Sequence, residues 1–306
     1  MPETRTPASN SFSLTHSLAL YHRLKGTGKT SLFFESPERS IRYLIECPRH
    51  DSLTSIEVSD AGRFRDYLFE RGMSSSSVKR VFSSVRAVTN LAIREHGLSV
   101  TNFFSGTFIP DDKVKKKRLP IPTKALLGIQ RECMALDDEP RWLIALISDT
   151  GMRLSEACGL QARDIHLDGD TPYINLVEHP WRRLKTSSSS RQVPLVGASL
   201  WAAHRIVDAG HSFAFPKYCS DAKYNANSAS AALNKWLKSQ VPDGCVIHSF
   251  RHSLRDRLRA IECPADIIDA ISGWTTEGVG HQYGQGHSLN VTYGWMKRLR
   301  NGDEES

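Results

Sequence analysis

The chain has 306 residues, enough at about 150 residues per domain for two domains with their own cores, which excludes a peptide or a disulfide-stapled miniprotein. Lysine and arginine total 40 against 33 acidic residues, and the formal net charge of +7 suits a polyanionic partner without requiring one. Cys47, Cys133, Cys158, Cys219, Cys245 and Cys263 form no C-x-x-C pair and read as reduced thiols, and charged residues interrupt every apolar stretch, so neither a metal site nor a membrane span is expected.

Residues 1–50 carry no clear pattern. Gly28-Lys29-Thr30 imitates the end of a phosphate-cradling loop, but Arg23 stands where that motif needs its first glycine and no apolar strand leads into it. It reads as a solvated basic turn. From Ser59 to Glu70 the spacing predicts a helix that Ser59 or Asp60 can cap, with Phe64, Tyr67 and Leu68 on one face and Gly72 near its end. After the serines at 74–77, Val78, Val81, Phe82, Val85, Val88 and Ala92 form a second, longer apolar stripe that stops before Gly97. Lys79, Arg80, Arg86 and Arg94 fall largely off that stripe and give residues 51–109 a basic outer face.

Residues 110–122, PDDKVKKKRLPIP, hold three prolines with Lys113, Lys115, Lys116, Lys117 and Arg118. Proline and like-charge repulsion predict an extended linker, and such a strap suits a nucleic-acid backbone, where each cation releases condensed counterions. Beyond it, a helix over Trp142–Ile147 ends at Thr150-Gly151, and a short one runs from Leu154 to Cys158. Two strands, 172–177 and 191–195, flank a basic turn with Arg182, Arg183, Lys185 and four serines. Helical spacing returns over 228–239, 249–261 and 265–271. The second domain, 123–306, is therefore expected to be mainly helical with a small antiparallel β-sheet.

Cationic and titratable residues gather at element boundaries. Arg153 follows the Gly151 turn, with Glu156 three residues on and able to hold its guanidinium. Lys185 lies in the turn between the strands. His248 and Arg251 open a helix three residues apart, on one face, where both can meet the same phosphate. Gly273-Trp274 follows a helix, and Tyr283 comes nine residues later in a glycine-rich stretch. Taken singly, Arg153 suits a surface ion pair, His248 a helix cap, and Trp274 a core. Their joint order is more specific.

That order resembles the tyrosine recombinase, or phage integrase, family. The matching stretches are TGMRLSEACGL, the Lys185-Thr186 turn followed by RQVPL, HSFRH, and ISGWTTEGVGHQYGQG, within residues 140–295. The resemblance implies a helical core-binding domain at 51–109 and an α+β catalytic domain at 123–306, closing as a clamp on double-stranded DNA. It implies Tyr283 as nucleophile, Arg153 and Arg251 on the phosphate oxygens, Lys185 as general acid and His248 as aid to proton transfer, with neither metal nor ATP. Trp274 stands where the family most often has histidine, and an indole N–H can only donate. Lys115, Lys116, Lys117, Arg118, Arg182 and Arg183 are the expected backbone contacts.

The resemblance further implies attachment-site DNA as substrate, a homotetramer in which Val291–Leu299 reaches a neighbour, a role in a phage or other mobile element, a possible excision factor, and a cytoplasmic, nucleoid-associated protein. A recombinase-like DNA-binding protein that does not cut, or a type IB topoisomerase, are the competing readings.

Overall fold

The computed structural model describes residues 12–29, 31–47, 51–111, 118–221, 223–274 and 286–304. The chain divides into two compact units, Met1–Lys115 and Lys116–Ser306.

The first unit begins with α1 (Leu14–Lys25) and α2 (Ser31–Glu46), continues through α3 (Val58–Glu70) and α4 (Ser75–Glu95), and ends in a 3-10 turn over Phe103–Ser105. The Ser13 hydroxyl caps α1 by accepting from the His16 N–H at 2.9 Å. At α3 the expected caps shift. Asp60 lies inside the first turn, and its carboxylate accepts from the Glu57 N–H at 2.8 Å. The apolar stripe of α4 is buried from Val78 to Ala92, and Phe64, Phe82 and Phe104 meet with ring centroids 5.3 to 6.1 Å apart. Each such buried side chain contributes about 1.5–3 kcal/mol.

Residues 12–47, illegible as sequence, share this core. Leu14, Leu20, Ile41 and Leu44 belong to the same buried cluster as Val78 and Val85. Lys79, Arg80 and Arg94 are exposed and Arg86 is half-buried, as the stripe predicts.

The second unit starts with α5 (Thr123–Leu136), α6 (Glu139–Thr150) and α7 (Leu154–Cys158). The Asp138 carboxylate caps α6 through the Arg141 N–H at 3.1 Å. Every residue of α6 from Leu143 to Thr150 is buried, because α5 and α8 (Gly197–Asp208) pack against it. A helix apolar around most of its circumference belongs in the middle of a domain.

Strands β1 (Ile165–His166), β2 (Tyr173–Leu176) and β3 (Arg191–Pro194) form an antiparallel sheet in that order, with Ile165 opposite Ile174 and Ile174 opposite Val193. The two-residue β1 carries too little alternation to stand out in the sequence. A second ribbon pairs β4 (Cys219–Ser220) with β5 (Lys223–Tyr224).

Helices α9 (Ala226–Leu237), α10 (Ser249–Ala260), α11 (Ala265–Ser272) and α12 (Leu289–Glu304) complete the unit. Met296 and Leu299 of α12 are buried with Leu254, Leu258, Ile267, Ile268 and Ile271 of the same chain. Within the segment expected to reach a neighbour, Met296 and Leu299 turn onto α10 and α11 of the same unit, while Val291 is exposed. Among the described residues no helix is long and apolar enough to cross a membrane.

Candidate functional site

The site in the second unit is built where α6, α10, β3 and the end of α11 converge. Its first fixed point is Gly151, which closes α6 in the left-handed conformation at φ 58°. A Cβ there would lie 2.6 Å from Leu254 Cδ2, so glycine is needed both for the turn and for the approach of α10. Two residues later Arg153 precedes α7. Its guanidinium is ion-paired with the Glu156 carboxylate, which also accepts from the Arg153 N–H at 3.0 Å.

Glu156 is 3% exposed and serves a second cation. Arg191 Nη2 donates to Glu156 Oε2 at 3.3 Å, Nε donates to the Ile271 carbonyl at 2.9 Å and Nη1 to the Ser189 carbonyl at 2.8 Å. Burial alone would raise the Glu156 carboxyl, but Arg191 and then Arg153 hold it below the ordinary carboxylate range. Burial likewise pushes the Arg191 guanidinium down, against the pull of Glu156. Arg191 thus ties β3 to α7 and α11.

It also explains Gly273. This residue ends α11 at φ 66°, and a Cβ on it would come within 2.6 Å of Arg191 Nη1. Trp274 follows, its N–H donating to the Asp269 carbonyl at 3.0 Å.

Arg251 closes the arrangement from α10. It donates from Nη1 to the Gly151 carbonyl at 2.8 Å and from Nη2 to the Ser272 carbonyl at 2.6 Å, and its Cζ lies 4.6 Å from the Trp274 ring. Burial, followed by the charges of Arg153 and Arg191, pushes its guanidinium down to about 10, still cationic at neutral pH.

His248, at the start of α10, is half-buried. Burial first, then Arg118, His252, Arg251 and Arg153, push its imidazole down to about 4, so it is neutral at pH 7. Its ring meets that of His252 edge-on at 5.5 Å. Arg118, expected from the linker, therefore lies near enough to His248 to act on its charge.

Lys185 is exposed on the turn between β2 and β3. The turn is tied to Arg153 through serine. Ser189 Oγ lies 2.9 Å from Thr186 Oγ1 and 3.1 Å from Arg153 Nη1, which donates to it. Arg183 is exposed as expected.

Arg182 departs from expectation. Its side chain is 1% exposed and donates from Nη2 to the Val177 carbonyl at 2.7 Å, so it faces the interior rather than a DNA backbone. Reciprocal backbone hydrogen bonds of 3.0 Å between His179 and Arg182 form a small bridge inside the turn, and the neighbouring Trp181 Nε1 donates to the Gly159 carbonyl at 3.2 Å. A basic stretch of sequence does not reveal which of its members such a bridge turns inward. Tyr283, Lys115, Lys116 and Lys117 lie outside the described residues.

The structure thus brings together Arg153, Arg251, His248 and Trp274, adds Arg118, and leaves Lys185 on an adjoining turn. Sequence reasoning missed Arg191 and Ser189 as parts of the site. Their signal was weak, since Ser189 sits in a serine-rich turn that reads as solvated and Arg191 opens a strand whose pattern says nothing of its partners. It also missed Arg255, whose Cζ lies 4.6 Å from the Trp274 ring and whose position four residues after Arg251 was the available clue.

The family model described as the phage integrase family matches residues 123–286. No curated protein matches the sequence. Among solved structures, the Tn1549 transposon integrase in complex with transposon right-end DNA is 18% identical, with a TM-score of 0.66, covering 94% of this chain and 99% of that one. A lambda integrase tetramer bound to a Holliday junction is 16% identical, with a TM-score of 0.65, covering 92% of this chain and 81% of that one. Lambda integrase residues 75–356 bound to DNA are 15% identical, with a TM-score of 0.63, covering 92% and 96%. The likeness is one of fold.

Proposed function

The chain belongs to the phage integrase family, and on that premise we propose that it is a site-specific DNA strand transferase that cleaves and rejoins through a covalent phosphotyrosine. The observation that carries the reading is the convergence of two arginines on one turn. Arg251 is bonded to the Gly151 carbonyl, and Arg153, two residues later, is held by the buried Glu156. Cations fixed in advance around one point stabilise a phosphate whose oxygens gain charge without reorganising during the reaction.

In the proposed reaction the Tyr283 hydroxyl attacks phosphorus while the bond from phosphorus to the 5′-oxygen breaks. The phenol proton passes to His248, whose imidazole is neutral in the free protein and whose proton affinity, lowered there by burial and cations, rises when the phosphate anion is bound beside it. Lys185 gives a proton to the departing 5′-oxygen, leaving a free 5′-hydroxyl and a 3′-phosphotyrosine. Rejoining reverses each transfer. The covalent bond conserves the phosphodiester energy, so this chemistry calls for neither ATP nor a metal ion. Trp274, a donor only, can bind a phosphate oxygen but cannot relay a proton.

The substrate in this reading is an attachment site in double-stranded DNA, contacted by Arg118 and Arg183 with Lys115, Lys116 and Lys117, and acted on by a homotetramer, as the lambda integrase structure on a Holliday junction suggests by analogy. The setting is a phage or another mobile element, with room for an excision factor. A nicked suicide substrate carrying the protein's own attachment site tests the reading. Wild type is expected to trap a covalent protein–DNA complex and Tyr283→Phe none. Tight binding by wild type without any adduct would reduce the protein to a DNA-binding relative.

A further inference from the structure

Arg255 stands one turn beyond Arg251 on α10, on the same face of the helix. The guanidinium carbons of both lie 4.6 Å from the ring of Trp274. The two arginines differ in what else holds them. Arg251 is bonded to the Gly151 and Ser272 carbonyls. The Arg255 side chain has no hydrogen bond or ion pair among the described residues, and its Nε is buried without an acceptor. A buried donor left unmade is costly, and the negative face of the Trp274 indole, 4.6 Å from the guanidinium carbon, offsets it.

The indole also needs a holder. Its backbone N–H is tied to Asp269, but the ring lies partly exposed at the edge of the α10–α11–α12 core, and a donor-only group is useful only when it is aimed. The planar, weakly hydrated guanidinium of arginine stacks on aromatic rings better than lysine does.

We propose that Arg255 is a positioning residue of the strand-transfer site, its guanidinium clamping the Trp274 indole beside Arg251 so that the tryptophan form of the site keeps its phosphate-binding geometry. This rests on the strand-transfer reading. Charge and ring act as a pair, so the effect of removing one depends on the presence of the other.

A double-mutant cycle on single-turnover cleavage of the suicide substrate tests the coupling. Arg255→Met, which keeps bulk without charge, is expected to slow cleavage about tenfold, and Arg255→Lys less. In a Trp274→His background the same Arg255→Met change is expected to cost less than about twofold. Equal losses in both backgrounds would overturn the proposal.

A second readout is independent of catalysis. The emission of Trp274, isolated by subtracting the spectrum of Trp274→Phe, is expected to become at least about twofold more quenchable by acrylamide in Arg255→Met and to stay near wild type in Arg255→Lys. Unchanged quenching in Arg255→Met would also overturn it. If wild type forms no adduct, the strand-transfer reading fails while the quenching result still decides whether Arg255 holds the ring.

Discussion

Arg191 and Glu156 meet inside the second unit at 3.3 Å, and through this pair the carboxylate that orients Arg153 is also fixed to β3 and, by way of the Ile271 carbonyl, to the end of α11. One buried anion thereby sets the position of two elements. Arg191→Met leaves Glu156 buried with a single cation and removes three hydrogen bonds, an expected loss of about 3–5 kcal/mol in urea unfolding. Arg191→Lys is expected to recover little, because one ammonium cannot reach three divergent acceptors. Full stability in either variant would remove Arg191 from the framework of the site.

The acid limb of stability follows from the same carboxylate. Glu156 titrates below its ordinary value in the folded protein, so its contribution is complete above the unfolded value of about 4.3 and is lost as pH falls through the lower, folded value. Unfolding free energies measured from pH 7 downward are expected to fall less steeply in that acid window for Glu156→Gln than for wild type, from a lower starting point.

Gly151 carries a sharper steric condition. Its φ of 58° disfavours any side chain, and a Cβ would stand 2.6 Å from Leu254. Gly151→Ala is expected to cost about 2–4 kcal/mol. Adding Leu254→Ala relieves the clash but not the backbone conformation, and it opens a cavity of its own. The double variant is therefore expected to be less destabilised than the sum of the two single changes, which thermal unfolding of the three proteins measures.

His248 is the titration to follow. With its imidazole pushed down to about 4 by burial and by Arg118, His252, Arg251 and Arg153, it is expected to stay neutral in an NMR titration of the free protein until pH approaches that value. Between about pH 6.5 and 4 the unfolded chain then binds the proton that the folded one refuses, so stability drops as pH falls through this window. His248→Asn is expected to make that drop shallower. A midpoint near 6.5 would mean that neither burial nor the surrounding cations act on the ring.

Lys185 tests the leaving-group step. Lys185→Ala is expected to slow cleavage by a factor of about 10²–10⁴ with little loss of DNA binding, the range for removing a general acid. A substrate with sulfur in place of the bridging 5′-oxygen needs no proton on departure and is expected to restore the rate. Failure of that rescue would assign Lys185 to binding.

Much of this site is legible in the amino-acid sequence. Arg153, Glu156, His248 and Arg251 lie within short segments whose helical spacing and glycine punctuation are local properties, and local patterns survive in sequence. The α4 stripe is legible for the same reason, as is the break at Gly151. Arg191 is not, because its three acceptors come from residues 2, 35 and 80 positions away, and such partners leave no periodic trace. Arg182 misleads for a related reason. Whether a guanidinium in a basic turn points outward depends on the bridge between His179 and its own backbone, which composition does not express. Helices α1 and α2 leave little trace because their burial depends on α4, which lies beyond α3 in the chain.

Strand transfer by this chain stands or falls on one bond, between Tyr283 and DNA. Peptide mapping by mass spectrometry of the complex trapped on a suicide substrate looks for that bond itself. A nucleotide remnant is expected on the tryptic peptide containing Tyr283, with Arg153→Ala and Arg251→Ala forming far less of it. A remnant on any other residue, or equal yields when both arginines are removed, would refute the assignment.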